Sequence, residues 1–192
     1  MNILRGCAAL AAALAFGAGA ANATVVTFDS LTGDGVVPNG YGGIQWGGNW
    51  SYFDGAESPY TPESAPERIY PNDIVADAVF SFSSPTVFDG AYFSGDPEVS
   101  VQFDLYLDGN LVATSGSLAP TATPAYLASG YNGLVDKVQV VDSVGSADYW
   151  VMDNVTYGVV PEPAAWALML MGVGGIGAAL RVARRGRIAI AA

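Results

Sequence analysis

The chain has 192 residues, 18 of them acidic and 7 basic, with one cysteine and no histidine. Without histidine there are no Ser-His or Cys-His triads, no imidazole acid–base chemistry and no histidine zinc site. Between Thr24 and Val160 stand 17 Asp and Glu against Arg68 and Lys137 alone, a surface that repels phosphate backbones, so no nucleic-acid partner is expected.

Residues 1–23 begin with Arg5 on a short polar start, run through an apolar stretch from Cys7 to Ala20, and end in Ala21-Asn22-Ala23. That A-x-A pattern marks a secretory signal peptide cut between Ala23 and Thr24, with the Sec translocon and signal peptidase as partners. Cys7 leaves with it, so the exported domain has no thiol, disulfide or cysteine metal site. Leu4-Arg5-Gly6-Cys7 precedes the apolar region instead of ending it, the wrong place for a lipoprotein box.

Residues 24–160 read as one acidic domain of short strands separated by Gly, Pro, Asn and Asp. The expected strands in the first half are Val25–Phe28, Gly43–Trp46, Trp50–Phe53, Val79–Phe82 and Thr86–Phe93. Asp54 to Asn72, with Pro59, Pro62, Pro66 and Pro71, reads as a long surface loop, because prolines donate nothing to a ladder. Next, Val99, Val101, Phe103, Leu105 and Leu107 alternate with Ser100, Gln102, Asp104, Tyr106 and Asp108, which puts five apolar side chains on one face. Asp108-Gly109-Asn110 supplies a tight turn into Leu111–Ser115, giving an antiparallel hairpin. Ala125–Leu127, Leu134–Val141 and Tyr149–Tyr157 complete the set, with no amphipathic helix. This pattern predicts an all-β fold, a jelly-roll-like β-sandwich ectodomain that buries one face of each sheet.

Beyond it, Pro161-Glu162-Pro163 precedes an uncharged run, residues 164–180, and then Arg181, Arg184, Arg185 and Arg187. At ~1.5 Å per residue the run reaches about 25 Å, the short limit for a single transmembrane helix. The positive-inside tendency holds the arginines and the tail 188–192 in the cytoplasm and the acidic domain outside. Gly172-Val173-Gly174-Gly175-Ile176-Gly177 matches G-x-G-x-x-G literally. It follows no strand and opens no βαβ unit, so it is no nucleotide site.

The order of motif, apolar run and arginines over residues 161–187 resembles the PEP-CTERM sorting signal, also known as an ice-binding protein C-terminal domain. The resemblance implies processing by an exosortase, a membrane-embedded cysteine protease or transpeptidase, and association with exopolysaccharide and biofilm surfaces. Pro161, Glu162, Pro163 and the four arginines would be the sorting residues. Ile188 to Ala192 depart from the pattern, since such signals normally stop at the arginines.

For the ectodomain the sequence offers two ligand chemistries. Exposed aromatic faces stack on sugars, and Tyr41, Trp46 and Trp50, with Tyr52, Tyr60 and Tyr70, are the candidates for a carbohydrate-binding module. The competing expectation is that Trp46 and Trp50 fill the core. Asp29 and Asp153, among acids that include Asp104 and Asp108, are candidate calcium ligands, although no segment has an EF-hand pattern. A glycoside hydrolase needs only two carboxylates, yet no motif selects a pair, so the chain is expected to be a sorted substrate and not an enzyme.

Overall fold

The structure, a computed structural model, describes residues 23–72, 78–145 and 149–158, together with 171, 172, 174 and 175. The expected signal peptide through Asn22, Pro161 to Pro163, the arginine cluster and the tail 188–192 lie outside the described residues. Residues 21–160 form a compact unit of their own. In the second unit only Met171, Gly172, Gly174 and Gly175 are described, all helical. No helix among the described residues is long and apolar enough to cross a membrane. The segment expected to span one, 164–180, lies almost wholly outside them.

The unit 21–160 is all-β. Its strands are β1 (Ala23–Val26), β2 (Gly35–Val36), β3 (Ile44–Gln45), β4 (Trp50–Phe53), β5 (Arg68–Pro71) and β6 (Val79–Gly95), followed by β7 (Val101–Leu107), β8 (Asn110–Thr114), β9 (Ala125–Ala128), β10 (Val135–Asp142) and β11 (Trp150–Gly158). They are joined in the order β2-β4-β5-β11-β6-β10-β7-β8, with β1 on β11 and β3 and β9 on β6. The pairings are antiparallel.

β6 makes one network into two layers. Its first half pairs with β3 and β10 and its second half with β11 and β9. The sequence suggested two strands here, Val79–Phe82 and Thr86–Phe93. The structure fuses them through Ser83, Ser84 and Pro85, which are exposed. These three residues carry no ladder partner among the described pairs, so the missing N–H of Pro85 costs nothing.

The two layers close on aromatic rings. Trp50 of β4 meets Phe80 of β6 at 6.2 Å and Trp46 at 5.7 Å, both edge to face. Phe103 of β7 meets Phe88 at 4.8 Å and Phe93 at 5.6 Å. Such offset and T-shaped contacts add to the apolar burial because ring edges are positive and faces negative. Each buried indole also finds an acceptor: Trp46 donates to the Tyr41 carbonyl and Trp50 to that of Val79, each at 2.9 Å.

The β7–β8 hairpin forms as its residues dictate. Asp108 (φ 51°) and Gly109 (φ 77°) take the paired left-handed conformations of a two-residue type I′ turn, whose twist matches the flanking strands. Two strands were not anticipated, the short β2 and β5. β5 falls inside the segment read as loop, Asp54 to Asn72, and that reading is corrected. Pro59, Pro62 and Pro66 stay in the loop, while Pro71 takes the last position of β5 opposite Trp50.

Candidate functional site

Opposed residues of an antiparallel pair share a face. Trp50 and Tyr52 of β4, opposite Pro71 and Ile69 of β5, therefore point inward, while Ser51 and Phe53 point outward with Tyr70 and Arg68. On β11, Met152 opposes Ile69 and is inward, so Val151 and Asp153 are outward. Residues 54–67, the loop between β4 and β5, cross this outer face as a strap.

Three side chains pin the strap. Asp153 accepts a hydrogen bond from the Ser64 amide at 2.8 Å and from the Ser64 hydroxyl at 3.3 Å, and that hydroxyl also bonds Asn154 at 2.9 Å. Ser94 of β6 donates to the Thr61 carbonyl at 2.6 Å. Arg68 donates to the carbonyls of Gly55, Phe53 and Pro66 and lies with its guanidinium carbon 3.6 Å above the Phe53 ring. A β-bulge at Asn154 (φ 49°) offsets β11 against β6 beside Asp153, whose other oxygen accepts the Asn154 amide at 2.7 Å.

The strap thus buries charge. Arg68, Glu67 and Asp153 are 1%, 0% and 2% exposed. Burial pushes the Asp153 carboxyl up to about 7, with nearby Asp29 adding to the rise and the bonds from Ser64 and Asn154 opposing it. Burial, then Asp54, raises Glu67, against the pull of Arg68. Both Glu67 oxygens lack a hydrogen-bond partner among the described residues, which favours the neutral acid. Burial lowers Arg68, and the surrounding acids, Glu57 first, oppose that.

Beside the strap lies a cleft of about 320 Å³. Phe53 and Tyr70 form one wall, Tyr60 and Glu57 come from the strap, and Asp34 comes from the segment before β2. β11 adds the outward Val151 and the neighbouring Trp150, whose indole packs inward on Trp50 and Phe93, to the lining. Phe53 and Tyr70 meet edge to face at 5.5 Å.

The predicted sugar contacts do not form this cleft. Trp46 and Trp50 are fully buried, so neither offers a face to a ligand, and the competing core reading describes them. Tyr41 is half-buried, stacked on Phe28 at 5.6 Å. Tyr60 and Tyr70, from the wider aromatic set, do line it, whereas Tyr52 turns inward. Phe53 was missed, although period two separates it from Trp50: residues three apart on a strand face opposite sides.

Asp29 and Asp153, the candidate calcium ligands, are close enough for Asp29 to raise the Asp153 carboxyl. Among the described residues no group of three acidic, histidine or cysteine side chains is placed to hold a metal ion. Of the signal-cleavage residues, Ala21 lies outside the described residues, while Ala23 and Thr24 open β1 opposite Gly158 and Tyr157. The sorting residues Pro161, Glu162, Pro163, Arg181, Arg184, Arg185 and Arg187 all lie outside the described residues.

No curated protein matches the chain. Among solved structures, a mutant of a family 29 carbohydrate-binding module is similar at 16% identity, covering 72% of this chain and 92% of that one, with a TM-score of 0.38. Residues 159–185 match the family model described as the PEP-CTERM protein-sorting motif. The chain therefore carries a PEP-CTERM sorting motif, which starts at the residue after β11 ends.

Proposed function

We propose that this is an exported surface or extracellular-matrix protein, a substrate of an exosortase and not an enzyme. In this reading the Sec pathway delivers it, signal peptidase cuts between Ala23 and Thr24, and residues 164–180 hold it in the membrane with the arginines in the cytoplasm. Exosortase then cuts near Pro161 to Pro163, and the domain joins exopolysaccharide at the cell surface.

The observation that carries the reading is the sorting motif at 159–185, directly after the last strand. The register of β1 on β11 adds support. Ala23 opposes Gly158, so both proposed cuts fall at one edge of the domain, at or beyond the last paired residues. Together they take a single residue, Ala23, from a strand and leave Thr24 to Gly158 closed. Proline fixes φ and donates nothing to a ladder, so the sequence Pro161-Glu162-Pro163 favours an extended backbone of the kind a protease needs.

The test is fractionation with intact-mass analysis in a host that has an exosortase. Alanine at Pro161, Glu162 and Pro163 leaves helix and charges untouched, so full-length protein should accumulate in the membrane. Neutralising Arg181, Arg184, Arg185 and Arg187 should let the short apolar segment slip through, releasing uncut protein that retains Trp166. An alanine variant trimmed and released like wild type would sink the proposal.

A further inference from the structure

We infer that the cleft between the strap and the outer face of β4, β5 and β11 binds an uncharged saccharide. The inference rests on the polysaccharide association proposed above for its biological partner, and on the geometry of the cleft for its site.

The lining combines two chemistries that sugars use together. Phe53, Tyr60 and Tyr70 bring aromatic surface, which packs on the C–H faces of a pyranose ring. Asp34 and Glu57, both exposed carboxylates at the rim, accept hydrogen bonds from hydroxyl groups. At about 320 Å³ the cleft sits at the small end of ligand sites, with room for roughly one or two sugar rings.

The wall is held in place before any ligand arrives. The Arg68 guanidinium covers one face of Phe53, and Tyr70 meets Phe53 edge to face. Arg68 is itself locked by two strap carbonyls, of Gly55 and Pro66, and by the carbonyl of Phe53. A platform fixed this way loses little freedom on binding.

Charge selects among ligands. The carboxylates at the rim, in a domain with 17 acids against two bases, repel uronates and sulfated sugars. A quaternary ammonium group would favour an aromatic, acidic cleft, but the Arg68 charge already engages the Phe53 ring and opposes a second cation on it. A neutral polyol meets neither penalty.

The test is calorimetric titration of the purified full-length chain, in a detergent without a sugar headgroup, with neutral cello-, manno- and xylo-oligosaccharides. Oligogalacturonate and tetramethylammonium serve as charged probes. The expected result is saturable 1:1 binding of at least one neutral series and of neither charged probe. Tyr70→Ala and Glu57→Ala should each weaken it about tenfold or more. Asp34→Ala, at the exposed rim carboxylate that is not among the acids supporting Arg68, should weaken binding in the same sense at the wild-type melting temperature and guards against a Tyr70→Ala or Glu57→Ala chain that fails to fold. Binding by no neutral series, binding unchanged in Glu57→Ala, or preference for either charged probe would overturn the inference. Because purified chain is titrated, a negative result leaves the sorting reading intact, and unprocessed protein leaves this result intact.

Discussion

The inner face of β4, β5 and β11 is closed by rings, and the outer face of the same strands is closed by a loop. Inside, Trp50, Ile69, Trp150 and Met152 are buried among other apolar side chains and need only a few hydrogen bonds for their indoles. Outside, Arg68, Glu67 and Asp153 are equally buried; Arg68 and Asp153 are held by carbonyls, one serine hydroxyl and two amides, whereas the Glu67 carboxyl has no hydrogen-bond partner among the described residues. Burial alone therefore says little about what a region contributes. Apolar burial stabilises at any pH, whereas buried charge stabilises only in the protonation state its surroundings can satisfy.

The largest test of the contrast lies in the core. Phe103 of β7 is fully buried against Phe88 and Phe93, so Phe103→Ala should cost about 3 to 5 kcal/mol, enough to unfold a marginal domain. Gln102, on the other face of the strand, should change stability by less than about 1 kcal/mol as Gln102→Ala. That difference should persist from pH 5 to pH 8, since neither residue titrates. Equal melting temperatures for the two variants would mean the inner face is not where the rings place it.

The outer face should respond to pH instead. The Asp153 carboxyl rises from an ordinary 3.8 to about 7 on folding, so between these values the folded state holds a proton that the unfolded chain has lost. Stability is then fully present below about pH 4 and declines as pH rises toward 7, by on the order of 4 kcal/mol for this group. Glu67 and Asp89 are raised too and act in the same sense. Denaturant midpoints from pH 4 to pH 8 check the slope, and Asp153→Asn should remove most of it. A domain that instead gained stability on going from pH 5 to pH 8 would mean that Asp153 is ionised and satisfied in the fold.

The same contrast explains what could be read in advance. Strict alternation from Val99 to Leu107 and the Asp108-Gly109 turn are local signals, and the hairpin they imply is present. β5 was hidden because Arg68, at its start, is a poor sign of a buried strand position. It is buried because the loop that leads into it folds back over it, and no periodicity records that. Trp46 and Trp50 entered the candidate site on residue type alone, whereas alternation along β4 already assigns Trp50 and Phe53 to opposite faces. The cleft needs Asp34, Phe53, Glu57, Tyr60, Tyr70 and β11 brought together, which is a tertiary fact. The sorting motif was fully legible because its residues are contiguous: a proline pair before an apolar run and arginines is read without any fold.

The smallest expected effect is the most local one. Ser94 is 1% exposed and its hydroxyl gives the Thr61 carbonyl a 2.6 Å bond, a pin between β6 and the strap. Ser94→Ala removes the donor without adding bulk, so the net cost should be about 0.5 to 1.5 kcal/mol. If the strap is a separately held layer, this loss should appear first as faster amide exchange within residues 54–67, while amides of β7 and β10 keep wild-type protection. The Ser64 amide, bonded to Asp153, is the reporter. Exchange accelerating equally in the strap and in β7 would show that the two faces open together, and the distinction between a ring-closed core and a polar strap would then describe chemistry but not stability.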